Sequence, residues 1–210
     1  MDVTYYTSYN ELGLTSQNLQ SQYAFGTSFH YPARCFLKDT GILTFNLAKG
    51  KEEYVAVQDL EEGDMVKTIS DTKYVPIVAI KHNKIYNSGD DQRTKDRLYV
   101  CDTASFARPN ESTGLMKDLV ITGAHSVLVC ELSAVQRSDI EKTLGEIFVT
   151  DGHYRLPAFL DERTVPFPVK GEFEIYHFAL ENSNYYGNYG VFANGLLVES
   201  ASEFHMENWV

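Results

Sequence analysis

The sequence predicts an all-β fold, and three observations carry the prediction. Short runs rich in Val, Ile, Tyr and Phe recur along residues 35–202. Clusters of Gly, Asp, Asn and Pro break them at close intervals. One stretch, LSAVQRSDIEKTLGE at residues 132–146, reads as a helix. Many strands with few helices bury a core by packing sheet on sheet. A chain of 210 residues is long enough to build one.

Residues 1–34 are poor in charge and rich in Tyr, Ser, Thr, Asn and Gln. They read as an irregular upstream segment with aromatic anchors, punctuated by Gly26 and Pro32. The texture changes at Cys35, where CFLKDTGILTFNL shows an alternating strand pattern and KGKEE follows as a polar loop. EYVAVQDLEEGDMVKTI supplies two short strands around a turn shaped by Asp59, Gly63 and Asp64. KYVPIVAIKHNKIY is a strand in which Pro76, lacking an N–H, asks for an edge or a bend. NSGDDQRTKDR is a charged loop. RLYVCDTASF and KDLVITGAHSVLVCEL are strands on either side of PNESTG. Residues 154–180 return to strand, broken by VPFPVKG. ENSNYYGNYG is a turn-rich loop, and VFANGLLVES ends the β region with a tight bend at Asn194 and Gly195. Residues 203–210 read as a C-terminal tail.

The formal net charge of −11 makes nucleic acid and anionic membrane surfaces poor partners. No apolar run reaches the roughly 18 residues of a membrane span. The first 30 residues lack the basic start and apolar core of a signal peptide, so the expected setting is intracellular. Three cysteines, Cys35, Cys101 and Cys130, form no C-x-x-C pair, so neither a zinc site nor a disulfide framework is expected. Reduced thiols are the simplest reading. Cys101 and Cys130 lie in apolar strands and read as core. No metal and no cofactor is expected, and His30, His153 and His205 match no motif.

LVITGAHSVLV, residues 119–129, asks why a buried strand carries Thr122 and His125. A satisfied core histidine is one answer. A second comes from four patterns in fixed order: CFLKDTGIL, VQDLEEGDMVKT, LVITGAHSVLV and YHFALENSNYYGNYGVFANGLLVES. Together they resemble the Hint module, the autoprocessing domain shared by hedgehog proteins and inteins. The extended closing pattern looks most like Hint modules of large viruses. The resemblance covers residues 35–202 and implies a compact disc of long curved strands in pseudo-two-fold halves.

The resemblance also implies chemistry on the chain's own backbone. The Cys35 sulfur attacks the Arg34 carbonyl, and the peptide bond becomes a thioester. Water, a small thiol or an amine then releases the upstream segment, the chain's own substrate. An imidazole protonates the departing amine, help typically worth about 10²–10⁴-fold. Carried over by position, His125 is that acid and Thr122 the orienting donor. His177 stands where many Hint modules have Asp and is a candidate base for Cys35. His82 lies near the position of the hedgehog second-step base.

This chain departs from inteins at its end. Leu197-Val198-Glu199-Ser200 corresponds to a stretch that usually closes in His-Asn, so no Asn cyclises and full splicing is not expected. SEFHMENWV is too short for the sterol-transfer region of hedgehog proteins. Three rival readings stand beside self-cleavage. They are a silent Hint module, a cysteine hydrolase acting on other proteins, and a β module that binds through the Tyr-rich tail. A hydrolase nucleophile normally opens a helix, whereas CFLKDTGIL is a strand pattern.

Overall fold

A computed structural model describes residues 34–70, 74–106 and 114–208. The described residues all lie within one compact unit, Tyr31–Val210. The readings made on residues 1–33, with His30, and on most of PNESTG lie outside the described residues.

The described part is built from antiparallel strands, as the alternating patterns predict. They are β1 Phe36–Leu37, β2 Gly41–Asn46, β3 Lys51–Ala56, β4 Met65–Lys67, β5 Tyr74–Asn87, β6 Leu98–Cys101 and β7 Leu119–Thr122. The second half adds β8 Ser126–Val129, β9 Val149–Thr150, β10 His153–Pro157, β11 Val165–Pro166, β12 Gly171–Leu180, β13 Gly190–Ala193 and β14 Leu196–Glu199. Their order across the sheet is β11-β6-β7-β1-β12-β5-β4-β2-β13-β14-β8-β10-β9, with β3 beside β2.

The long β5 is the hinge of this arrangement. It pairs with β12 over most of its length and with β4 at its first three residues. Pro76 stands at the changeover, opposite Met65, where the β5–β12 register slips between Ala179 and Leu180. The missing N–H is tolerated there because the ladder is already irregular. Pro76 thus stands where β5 changes partner, inside a central strand.

Phe36, Ile42, Ile121, Phe178 and Val198 form the main core with no or almost no exposure. Asn194 and Gly195 turn β13 into β14 with positive φ of 48° and 93°, as the Asn-Gly pair predicts. A Cβ on Gly195 would lie 2.3 Å from the Gly114 carbonyl oxygen, so glycine is required twice over.

The expected helix is α1, Ala134–Leu144. Ser133 and Gln136 cap it reciprocally, and Gly145 ends it in the left-handed conformation.

One expectation is corrected. Cys130 is exposed, because it follows the last residue of β8 where the chain leaves the sheet towards α1. Within the C-terminal tail, Glu203–Asn208 form a short helix, α2, with Met206 buried against Ala179 and Ala201. The Ala201 N–H donates to the Phe178 carbonyl at 3.0 Å, which brings the chain back onto the sheet and lets the helix dock.

Candidate functional site

LVITGAHSVLV does not run as one strand. β7 ends at Thr122 and β8 begins at Ser126, with the His125 N–H donating to the Thr122 carbonyl at 3.0 Å. β7 pairs with β1 and β6, whereas β8 pairs with β14 and β10. The Thr-Gly-Ala-His turn therefore carries the chain from one part of the sheet to another.

The turn is tied on several sides. The Gly123 N–H donates to the Arg97 carbonyl at 2.7 Å, and the Ala158 N–H donates to the His125 carbonyl at 2.9 Å. A Cβ on Gly123 would meet the Thr94 carbonyl oxygen at 2.6 Å and the Tyr99 ring at 2.7 Å. Only glycine lets the charged loop approach this closely. That loop is itself anchored: the Arg93 guanidinium donates to the carbonyls of Ala158, Phe159, Asp161 and Thr164.

Cys35 lies against this turn. Its backbone N–H donates to the Thr122 Oγ1 at 2.8 Å, and the Thr122 N–H donates to the Cys35 carbonyl at 3.0 Å. The Thr122 hydroxyl, expected as an orienting donor, thus acts here as an acceptor for the nitrogen of the Arg34–Cys35 peptide. The thiol is fully buried in a cluster with Leu98 and Ile175. That burial pushes its pKa well above the ordinary range, so it rests as a neutral thiol.

His125 is fully buried, and its Nε2 lies 2.9 Å from the Glu199 carbonyl oxygen. A carbonyl only accepts, so Nε2 carries the proton. In the neutral ring Nδ1 then bears the lone pair, and it has no hydrogen-bond partner among the described residues. Burial pushes the imidazole pKa down, while the Glu199 carboxylate and the backbones of Glu199 and Cys35 push it up. The net shift is downward, which favours a neutral ring.

His177 belongs to the same cluster. Its ring centroid is 5.5 Å from that of His125 and 6.0 Å from that of Phe36. Neither of its nitrogens has a partner among the described residues. Burial, then the neighbouring His125, holds its pKa well below the usual value. Buried imidazole nitrogens without partners among the described residues carry a desolvation cost.

His82 stands apart. It is exposed on β5, opposite Tyr176, with ring centroids 5.7 Å apart.

Glu199 was not singled out from the sequence. It is fully buried at the end of β14. Its Oε1 accepts the Ser126 N–H at 3.0 Å, and its Oε2 accepts from Asn188 at 3.2 Å. Arg155 lies 3.3 Å and Arg34 3.5 Å from the same Oε2. Burial alone would raise its pKa; Arg34, Arg155 and His125 outweigh that and bring it down to about 2. The available signal was an acid ending the apolar run Leu196-Leu197-Val198, where only a paired carboxylate can be buried.

No group of three or more His, Cys, Asp or Glu among the described residues is arranged to hold a metal ion. No described helix is long and apolar enough to cross a membrane. No protein-family model and no curated protein matches the chain. Among solved structures the chain is similar to two of the MchDnaB-1 intein. One has 14% identity and a TM-score of 0.41 over 80% of this chain and 98% of that one. The other has 12% identity and a TM-score of 0.38 over 79% and 98%.

Proposed function

We propose that this chain is a Hint-type self-processing module that breaks its own Arg34–Cys35 bond by an N-to-S acyl shift. The observation that carries the reading is the hydrogen bond from the Cys35 N–H to Thr122 Oγ1, beside a buried His125 whose Nδ1 has no hydrogen-bond partner among the described residues.

The steps follow from the residues. The Cys35 sulfur and the Arg34 carbonyl carbon are joined through the Cys35 Cβ, Cα and nitrogen, so attack closes a five-membered ring without bringing in a second molecule. A buried neutral thiol is a weak nucleophile and must lose its proton as it attacks. The lone pair of His125 Nδ1 takes that proton, either directly or by relay through the neighbouring His177 ring. Nδ1–H of the resulting His125 imidazolium then gives a proton to the Cys35 nitrogen, and the C–N bond breaks. The products are a thioester between Arg34 and Cys35 and a free amine on Cys35. Water, a thiol or an amine attacks the thioester, releases residues 1–34 and returns a proton to sulfur.

His125 suits both halves of this cycle. Its Nε2–H is fixed on the Glu199 carbonyl, so Nδ1 alone takes and gives the proton. A depressed pKa makes the imidazolium a strong acid towards the departing nitrogen. The silent-module reading shares every contact and differs only in outcome.

Intact-mass spectrometry of the full chain, with and without a small thiol, tests the proposal. The expected result is a split into residues 1–34 and 35–210, faster with thiol and absent in Cys35→Ala. A folded chain that stays whole for days in excess thiol overturns it in favour of the silent module.

A further inference from the structure

Arg34 precedes the bond that processing breaks, and its side chain turns into the site. Its Nη1 lies 3.5 Å from Glu199 Oε2. The Arg34 side chain is 24% exposed, while that of Glu199 is fully buried. A carboxylate is buried only where cations and N–H groups surround it. Arg155, Asn188 and Ser126 supply such groups from within the β region, at 3.3, 3.2 and 3.0 Å. Arg34 is the partner that belongs to the released segment. It is the only Lys or Arg in the first 34 residues, and it meets a buried carboxylate.

We propose that Glu199 is the specificity determinant for the residue before the scissile bond, selecting a cationic side chain at position 34 and so steering the Arg34 carbonyl towards the Cys35 thiol. This rests on the self-processing reading and adds to it what the site recognises.

The peptide is then held from both sides. Thr122 Oγ1 takes the Cys35 N–H at one end, and the Glu199 carboxylate takes the Arg34 guanidinium at the other. The same residue also fixes the proton carrier, because its main-chain carbonyl accepts His125 Nε2–H at 2.9 Å. Residue 199 thus positions the acyl group through its side chain and the imidazole through its backbone. Small losses of such alignment cost large factors in rate.

Arg155 makes this recognition separable from folding. It neutralises Glu199 from inside the β region, so removing the Arg34 charge leaves the carboxylate paired. A neutral chain at position 34 forfeits the attraction, and an acidic one opposes the Glu199 carboxylate that Arg155 and the Ser126 N–H still hold.

The test is a series at position 34 in the full chain. Arg34→Met should cleave about 3–30-fold more slowly than wild type, a partly exposed pair being worth less than a buried one. Arg34→Lys should fall between them, and Arg34→Glu should be slowest. In Glu199→Gln the order should collapse, with Glu at position 34 no slower than Met. If Glu199 only supported the fold, Glu199→Gln would slow every variant alike and keep the order. Equal cleavage of all position-34 variants in the wild type would overturn the proposal and leave self-processing intact. A second arm uses Cys35→Ala, where chemistry is blocked, and measures the coupling between Arg34→Met and Glu199→Gln in thermal melts. Coupling without any cleavage in the first arm would keep the recognition and defeat the processing reading. No coupling and no position-34 preference would defeat the recognition.

Discussion

The Cys35 backbone N–H and the Thr122 hydroxyl oxygen lie 2.8 Å apart across 87 residues of sequence. Thr122→Val would remove the acceptor and leave a buried amide unsatisfied. The expected cost is about 1–3 kcal/mol of stability, together with slower cleavage. Thr122→Ser should restore both. Denaturant unfolding in a Cys35→Ala background and cleavage rates in the active chain measure the two effects. Equal behaviour of Val and Ser would remove the hydroxyl from the mechanism.

His125→Ala should slow cleavage by about 10²–10⁴-fold, the loss expected of a general acid. Cys35→Ser should also slow it, because a hydroxyl is rarely ionised near neutrality. Time courses of fragment mass would show both, and wild-type rates in His125→Ala would exclude the imidazole as the acid.

His177 offers a sharper separation of stability from chemistry. Its two nitrogens are buried without partners among the described residues. His177→Leu should therefore stabilise the folded chain by about 1 kcal/mol, since an unsatisfied polar group is removed. Cleavage should nonetheless slow if the ring serves as base. A stabilised variant that cleaves at the wild-type rate would leave His177 only a packing role.

Acid should destabilise the fold in two stages. The pKa values of His125 and His177 are depressed by burial, and that of His205 is brought down to about 4. Below about pH 6.5 the unfolded chain binds more protons at these rings than the folded one, so stability falls as pH falls. Glu199 acts in the same direction at lower pH, its contribution present above about 4.5 and lost as pH drops towards 2. Melting temperatures of Cys35→Ala at pH 8, 6 and 5 should decline in that order, and a flat profile would contradict the buried neutral histidines.

Thiol labelling should single out Cys130. It is exposed, whereas Cys35 and Cys101 are buried with raised pKa values. A maleimide added to the native chain should modify Cys130 well before the other two, as peptide mapping would show. Rapid labelling of Cys35 would mean that its apolar pocket opens readily.

The sequence by itself determined the features written over short spans. Alternation along CFLKDTGILTFNL marked a strand, residues 132–146 read as a helix, and Asn194-Gly195 marked the tight bend. Cys35, Thr122, His125 and His177 were legible because each sits in a recognisable pattern of neighbours. Only the tertiary structure decided how those pieces meet. LVITGAHSVLV carries no local sign that it turns at Thr122–His125 to join two parts of a sheet, since strand pairing depends on partners far along the chain. Cys130 was misread for the same reason: burial is set by what packs on a residue, and apolar neighbours in sequence do not fix it. Glu199 is the clearest case. A carboxylate becomes tolerable in a core only when distant cations reach it, and Arg34 stands 165 residues away in sequence.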